Sequence, residues 1–294
     1  MSLATNTCTT RDGRQIEFAT IGDPSNPTVV YHHGTPGSVY LVESFREQAE
    51  RLGLFIIGMS RAGYGGSDRN EGRRVADVVA DVQSVLSHLG RGEYVAVGWS
   101  GGGPHALACA ALDPACVHAV SLAGVAPMVD DFDWTEGMGP ENIEEFNLAR
   151  EGGPAYDDAM RHATEVFSGA TADTVIALFG GLLSDTDQRS MEPLSVRELL
   201  ARGISHGLTS DRDGFRDDDQ AFLGDWGFRV NEIQRPVSLF FGDHDLMVPA
   251  RHGHYLASVI PNVTVYHWPD EGHVSLVVDH GDSIFDQVRQ ALAR

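Results

Sequence analysis

Cysteine is scarce in this chain: among its 294 residues there are only three, Cys8, Cys109 and Cys116. An odd and low number argues against the disulfide framework of a small secreted domain and fits a reducing compartment. Cys109 follows a run of glycines within an apolar stretch, so we expect it to be a buried, unreactive thiol.

Long apolar runs are also missing. No segment approaches the roughly 20 apolar residues that a helix needs to span a bilayer. The first residues, MSLATNTCTTRDGR, do not combine a basic stretch with a following apolar stretch, so we expect no secretory signal. Together with the scarcity of cysteine, these absences predict a cytoplasmic protein.

Basic residues are half as numerous as acidic ones: 21 against 42, which gives a formal net charge of −21. Such a field repels phosphate backbones and anionic lipid surfaces, which argues against nucleic-acid and membrane partners. We expect a small molecule as the binding partner, while these features leave the oligomeric state open.

What the chain does contain is an alternation of strand-like and helix-like segments. TCTTRDGRQIEFATIGD is typical of a hairpin, and apolar runs such as PTVVYHHG and LFIIGMS alternate with amphipathic segments such as RRVADVVADVQSVLSHLG. Continuous apolar strands are those of a parallel sheet covered by helices on both faces. The sequence therefore predicts an α/β fold with a mostly parallel central sheet of about eight strands, flanked by helices.

The alternation stops between residues 127 and 229. This stretch contains helix-like segments such as PENIEEFNLAREG and LSVRELLARG but no convincing strand, and the alternation then resumes. We therefore expect an α/β core formed by residues 1–126 and 230–294, with residues 127–229 as a helical insertion.

A glycine-rich turn follows a predicted strand in VAVGWSGGGPHALACAA, residues 95–111. Gly101, Gly103 and Ala106 fit the G-x-G-x-x-A pattern of dinucleotide-binding loops. That fingerprint needs an acidic residue about 20 positions later, and the next predicted strand, VHAVSLAGVAP, has none. No Lys-Ser or Lys-Thr pair follows to make a phosphate-binding P-loop. We therefore expect no nucleotide, and no other cofactor.

The same turn fits G-x-S-x-G, with Gly98, Ser100 and Gly102. A sharp turn from strand to helix holds the middle serine in strained backbone angles with its side chain exposed, and side chains on either glycine would collide within it. The N–H group after the serine lies at a helix N-terminus, where it stabilises developing negative charge. This nucleophile elbow predicts Ser100 as the attacking group.

A nucleophilic serine needs a base to take its proton and a carboxylate to orient that base. Asp243 and Asp245 follow a predicted buried strand in FFGDHDLMVP, and His273 lies in the loop after the last predicted strand. Ser100, His273 and one of the two aspartates therefore form a candidate catalytic triad.

The order serine, aspartate, histidine resembles the α/β-hydrolase superfamily, and two further stretches do so as well. HHGTPGS, residues 32–38, is similar to the HGxP loop of that superfamily, and SRAGYGGS, residues 60–67, is similar to its D-x-P-G-x-G-x-S loop. Ser60 and Ala62 stand where the second pattern has Asp and Pro, a change that bears on rigidity more than on chemistry. The resemblance covers nearly the whole chain and implies the α/β-hydrolase fold, with residues 127–229 as its cap domain.

The resemblance also implies which aspartate orients His273. The superfamily pattern G-x-x-D spans Gly242 to Asp245, so Asp245 is favoured. Asp243, or an acid displaced to the end of an earlier strand such as Asp130, is the alternative.

An oxyanion hole formed by the backbone N–H groups of Thr35 and Gly101 is implied too. The expected enzyme is a serine hydrolase, a carboxylesterase acting on a small to medium apolar substrate through an acyl-enzyme on Ser100. A C–C bond hydrolase of a diketone-like metabolite, an aminopeptidase and a weakly catalytic small-molecule receptor of the same fold are the alternatives.

Bulky aromatic residues are candidates for lining the substrate pocket, with core packing as the alternative. Those named for the pocket are Trp99, Trp134, Phe179 and Trp226. The acidic clusters at residues 130–133 and 217–219 are expected on the solvated surface or, as in aminopeptidases of the superfamily, against a substrate amine.

Histidines near Asp243 suggest a metal site at first sight. His252 and His254, close to His244 in the sequence, form no i, i+4 pair and no HExxH motif. We expect them on a solvated helix face, with no metal bound, and we expect His105 to be a core histidine.

Overall fold

The computed structural model describes residues 3–130, 132–208 and 213–293. Eight strands occur within these ranges: β1 (Thr5–Thr9), β2 (Gln15–Ile21), β3 (Thr28–His32), β4 (Phe55–Met59), β5 (Tyr94–Trp99), β6 (Cys116–Leu122), β7 (Val237–Gly242) and β8 (Val263–Trp268). They form one sheet in the order β1-β2-β4-β3-β5-β6-β7-β8. The prediction of an α/β fold with about eight strands is confirmed.

The sheet is parallel from β4 to β8 and antiparallel at its first edge. β1 pairs with β2 as the predicted hairpin, and β2 pairs antiparallel with β4. β3, β4 and β7 are buried at every position, because helices cover both faces, which explains their continuous apolar sequences. In the register of β3 and β5, His32 lies opposite Gly98, so the loops after these strands meet at the carboxyl edge of the sheet.

The described α-helices divide into two groups. Those that connect or follow the strands of the sheet are α1 (Arg46–Leu52), α2 (Val78–His88), α3 (Gly103–Leu112), and, after the insertion, α10 (Ala250–Val259), α11 (Ser275–Val278) and α12 (Gly281–Ala291). Those between β6 and β7 are α4 (Pro140–Glu151), α5 (Gly153–Ser168), α6 (Val175–Phe179), α7 (Asp185–Ser190), α8 (Leu194–Gly207) and α9 (Gly214–Leu223). No helix among the described residues is both long and apolar enough to cross a membrane.

The helical segment between β6 and β7, residues 127–229, is called the cap below. It packs on the loops at the carboxyl edge of the sheet: Ser38 Oγ, after β3, donates to the carbonyl oxygen of Gly203 on α8 at 2.7 Å. Gly203 lies so close to Leu41 that a Cβ atom there would overlap the leucine side chain. That core and cap form distinct units, with boundaries at residues 126 and 230, stays a prediction.

Candidate active site

Ser100 lies at the sharp turn between β5 and α3. Its φ angle is 57°, a left-handed conformation that costs a non-glycine residue about 1–3 kcal/mol and clusters at functional sites. A Cβ atom on Gly98 would collide with the carbonyl group of Gly102, and one on Gly102 with that of His32. The turn therefore excludes side chains two residues before and after the serine, as the G-x-S-x-G pattern predicts.

His273 and Asp245 form a buried hydrogen-bonded pair. His273 Nδ1 donates to Asp245 Oδ2 at 2.7 Å, and neither residue is more than 2% exposed. The second oxygen of Asp245 accepts the N–H groups of Met247 and Val248, at 2.8 and 2.7 Å. Burial lowers the pKa of His273, but the charge and hydrogen bond of Asp245 together with the charge of Asp187 outweigh burial, and the pKa is raised above 6.5.

The other two candidate acids lie elsewhere. Asp243 is exposed and accepts a hydrogen bond from His267 Nε2 at 2.8 Å. Asp130 is also exposed, and Asp131 of the same acidic cluster lies outside the described residues. Of the three candidates, the structure brings Asp245 into contact with His273.

The histidine loop lies beside the elbow. Trp99 Nε1 donates to the carbonyl oxygen of His273 at 3.1 Å, and the two rings are tilted against each other with centroids 5.3 Å apart. Because Trp99 directly precedes Ser100, this contact holds the histidine loop next to the serine. Within the candidate triad, the structure shows the hydrogen bond between His273 and Asp245. Proton transfer from Ser100 to His273 is part of the proposed function.

The two expected oxyanion donors are neighbours in space. A Cβ atom on Gly101 would collide with the hydroxyl group of Thr35, and both residues line the same cavity as Ser100. A side chain after the serine would therefore displace Thr35, and the role of the two backbone N–H groups as oxyanion donors stays a prediction.

A buried charge network from the cap holds the loop that carries Thr35. Asp218 on α9 accepts hydrogen bonds from Thr35 Oγ1 at 2.6 Å, Arg61 at 2.5 Å and Arg73 at 2.6 Å. Arg61 also donates to two carbonyl oxygens of the same loop. Burial would raise the pKa of Asp218, but the two guanidinium groups hold it well below its usual range. The predicted solvated location of the cluster at residues 217–219 is wrong: all three aspartates are buried, and the arginine partners of Asp218 lie in the core.

A second cap aspartate contacts the histidine loop. Asp187 on α7 is fully buried, and its Oδ1 accepts the N–H groups of Val274 and Ser275 at 2.7 and 3.0 Å. Both loops of the site are thus hydrogen-bonded to the cap. The sequence offered no signal for Asp187, since a single Asp at the start of a short helix is also an ordinary surface residue.

Ser100 opens into a cavity of about 450 Å³. Its apolar walls come mainly from the cap and include Phe146, Phe167, Phe179, Phe215, Phe222 and Met247. Of the four residues named for the pocket, Phe179 is among those that line it, and Trp99 lies beside the elbow. Trp134 and Trp226 are buried away from it, where their indole N–H groups donate to the carbonyl oxygens of Ala126 and Phe222.

Carboxylates lie on the cap side of this cavity. Asp219 is fully buried, and its Oδ2 accepts the Tyr156 hydroxyl at 2.9 Å, whereas its Oδ1 has no hydrogen-bond partner among the described residues. Glu145 lines the same cavity. Burial raises the pKa of Glu145 to about 7, and burial together with the charge of Glu145 raises that of Asp219 well above its usual range. Neither arginine nor lysine occurs among the described residues that line the cavity.

The loop at residues 60–67, which departs from the superfamily pattern, is tied by an acid from a neighbouring strand. Glu17 on β2 accepts hydrogen bonds from Ser60 Oγ at 2.7 Å and from the N–H group of Gly66 at 3.0 Å. A carboxylate therefore braces this loop even though position 60 has none.

The expectation for His252 is wrong. It is fully buried, accepts the N–H group of Ala126 at 3.0 Å and donates to the carbonyl oxygen of Trp134 at 2.9 Å. This face of α10 is covered by the start of the cap, which local spacing does not reveal. His105 and Cys109 are buried as expected.

His254, in contrast, is exposed. Its ring nitrogen, one of His267 and a carboxylate oxygen of Asp243 lie within 4.8 Å of one another. The sequence spacing did not link His267 with His254 and Asp243, because His267 lies on β8, which the fold brings beside β7. That no metal binds here stays a prediction.

Comparisons with known proteins identify the family to which the chain belongs. Residues 27–279 match the family described as alpha/beta hydrolase fold. The chain is 26% identical over 269 residues to the pimeloyl-[acyl-carrier protein] methyl ester esterase of Chromobacterium violaceum, covering 90% of this chain and 93% of that one. It is 24% identical over 278 residues to a bifunctional esterase/perhydrolase of Acinetobacter calcoaceticus, covering 90% and 91%.

Among solved structures, the enol-lactonase from Burkholderia xenovorans superposes with a TM-score of 0.70 at 17% identity, over 98% of this chain and 100% of that one. This likeness extends over the sheet and the cap alike. The chain therefore belongs to the α/β-hydrolase fold family and is an esterase-like hydrolase.

Proposed function

We propose that the protein hydrolyses carboxylic esters of small to medium, largely apolar substrates through an acyl-enzyme on Ser100. The observation that carries this proposal is the buried hydrogen bond between His273 and Asp245, held beside a serine with a strained backbone that faces an apolar cavity. The names of the two curated relatives, both esterases, support the same bond type.

In the proposed reaction, Ser100 Oγ attacks the ester carbonyl carbon while His273 Nε2 takes the hydroxyl proton. Asp245 keeps the imidazole in the tautomer that leaves Nε2 free and stabilises the imidazolium that forms. The N–H groups of Thr35 and Gly101 hold the oxyanion. Collapse of the tetrahedral intermediate expels the alcohol, which receives the proton from His273. Water then attacks the acyl-enzyme with His273 again as base, releasing the acid and restoring Ser100.

The choice of acid is tested by a pair of variants. Asp245→Asn is expected to lower kcat/KM for p-nitrophenyl butyrate by about 10³- to 10⁴-fold, because the amide no longer selects the imidazole tautomer. Asp243→Asn, at an exposed position two residues away, is the matched control and is expected to stay within about twofold of wild type. Initial rates and circular dichroism of both variants provide the measurement. The reverse order of effects would identify Asp243 as the acid.

A second candidate function, that of an aminopeptidase, is favoured by Asp219 Oδ1, which has no hydrogen-bond partner among the described residues. A fully buried oxygen without a hydrogen-bond partner is costly. An ammonium group beside Asp219 would oppose the effect of burial and of Glu145 on its pKa and form a charge-assisted hydrogen bond with the carboxylate. Glu145 adds a second carboxylate to the same end of the cavity. Substrates that carry a protonated amine would place it there while Ser100 attacks their ester or amide carbonyl.

This candidate predicts a preference between matched substrates. An aminoacyl p-nitrophenyl ester is expected to exceed its N-acetylated counterpart in kcat/KM by about 10- to 100-fold, the range of one charge-assisted hydrogen bond. Asp219→Asn is expected to remove that preference and to keep the turnover of neutral esters. Glu151→Gln, an exposed position on α4 away from the cavity, is the control. Equal rates for the two substrates with wild type contradict an amine subsite and leave the esterase proposal standing.

A further inference from the structure

Asp187 lies on the short cap helix α7, and its carboxylate contacts the loop that carries His273. It is fully buried, and no arginine or lysine pairs with it in the part of the chain that the structure describes. Its hydrogen bonds come from the N–H groups of Val274 and Ser275 and from Ser184 Oγ at 2.8 Å. All three donors are uncharged groups, so none of them provides Asp187 with a counterion.

The contacts of Asp187 enclose His273 from both sides. Val274 and Ser275 directly follow the histidine, and Gly272 directly precedes it. A Cβ atom on Gly272 would collide with the Asp187 carboxylate, so the backbone passes this group closely. Ser275 Oγ then accepts the N–H group of Gly272 at 2.8 Å, which closes the turn. The position of the imidazole is therefore set by a turn built around one cap carboxylate.

Few other charged groups face the imidazole. Asp245 reaches it from the loop after β7. Glu271, on the histidine loop itself, is hydrogen-bonded to His280 at 2.8 Å. Trp99, which packs on the ring, carries no charge. Asp187 is thus the one additional carboxylate that the cap brings to His273 among the described residues.

We propose that Asp187 is a positioning residue for His273, which fixes the histidine loop through two backbone N–H groups and places a second buried negative charge beside the imidazole. The inference rests on the proposed function, in which His273 is the base. The imidazolium that forms when Ser100 loses its proton is then stabilised by two carboxylates, Asp245 directly and Asp187 through space. A buried charge is only weakly screened by solvent, so its effect reaches beyond direct contact. The raised pKa of His273, to which Asp187 contributes, agrees in direction.

The test is Asp187→Asn, which keeps an oxygen able to accept both N–H groups and removes the charge. Wild-type kcat/KM for p-nitrophenyl butyrate rises with pH as His273 loses its proton, since the neutral imidazole is the base. In the variant, the rising limb of this pH profile is expected to shift to lower pH by about one unit, because loss of a nearby negative charge lowers the pKa of His273. Its plateau is expected to fall by about tenfold, which corresponds to that shift.

Asp81→Asn is the control for the loss of a buried carboxylate. Asp81 lies on α2 and pairs with Arg14, and its variant is expected to keep the wild-type limb. An Asp187→Asn limb that coincides with the wild-type limb overturns the proposal. NMR titration of the His273 ring in the same proteins reports its pKa without any substrate. An inactive wild type therefore counts against the esterase function alone, while an unshifted NMR titration counts against the role of Asp187.

Discussion

Replacement of Ser100 by alanine is expected to lower kcat for p-nitrophenyl esters by on the order of 10⁴- to 10⁶-fold, because members of a triad act as a unit. The alanine variant keeps the cavity, the proposed oxyanion donors and the His273–Asp245 pair, and it loses only the atom proposed to form the acyl bond. The residual rate measures what binding and the oxyanion hole achieve without a nucleophile. The substitution does not relieve the crowding at the elbow, since alanine retains the Cβ atom of Ser100.

The measurement combines turnover with covalent labelling by a fluorophosphonate probe, followed by mass spectrometry of the labelled peptide. Wild type is expected to carry one label on Ser100, and Ser100→Ala is expected to carry none. Ser87→Ala, at an exposed serine on α2, is the matched control and should label like wild type. Unchanged turnover in Ser100→Ala would refute the site. A wild type that neither labels nor turns over any ester or amide would favour the receptor alternative.

The second large effect is expected for Asp218→Asn, on stability as well as on rate. The substitution leaves Arg61 and Arg73 buried without their carboxylate, and removal of one partner of a buried ion pair costs about 3–5 kcal/mol. The hydrogen bond from Thr35 Oγ1 weakens at the same time. We therefore expect a lower free energy of unfolding and a reduced kcat in the folded fraction, because the loop that carries Thr35 loses its hydrogen-bonding partner in the cap.

Asp217→Asn provides a control on the adjacent residue. Asp217 is also buried and is bound by two hydrogen bonds from Arg69, but that arginine is 25% exposed and keeps access to solvent, so this substitution is expected to cost less than Asp218→Asn. Urea unfolding at several pH values is the measurement. Because the pKa of Asp218 lies below its ordinary value of 3.8, its contribution is present above that value and is lost on acidification below it. The difference between Asp218→Asn and wild type should therefore be largest near neutral pH, and equal losses in both variants would contradict the network.

The fold and half of the site follow from local patterns in the sequence. The continuous apolar residues of β3 and β4 reflect burial on both faces, and the crowding around Gly98 and Gly102 is visible in the G-x-S-x-G spacing. Asp243, Asp245 and His273 were candidates because each follows a predicted strand, and the choice of Asp245 came from the resemblance to the α/β-hydrolase superfamily. The other inferences depend on a few neighbouring residues.

The contacts between cap and core could not be predicted in this way. Asp218 is separated from Arg61 by 157 residues and Asp187 from Val274 by 87, and no periodicity connects such pairs. His252 was assigned to solvent for the same reason, since its partner Trp134 lies 118 residues earlier. Burial of a polar residue is decided by the element that packs on it, and the cap packs on the core through helices whose sequences look like surface helices.

Helix α9 carries three successive aspartates, each with different partners: Asp217 pairs with Arg69, Asp218 with two core arginines, and Asp219 with Tyr156 beside the cavity. Successive residues of an α-helix point about 100° apart, so a shift of one position would turn the wrong carboxylate towards the core. The cap of this protein is therefore not an exchangeable module. In recombination between relatives, or in a laboratory chimaera, α9 and the arginines of the core have to be inherited together.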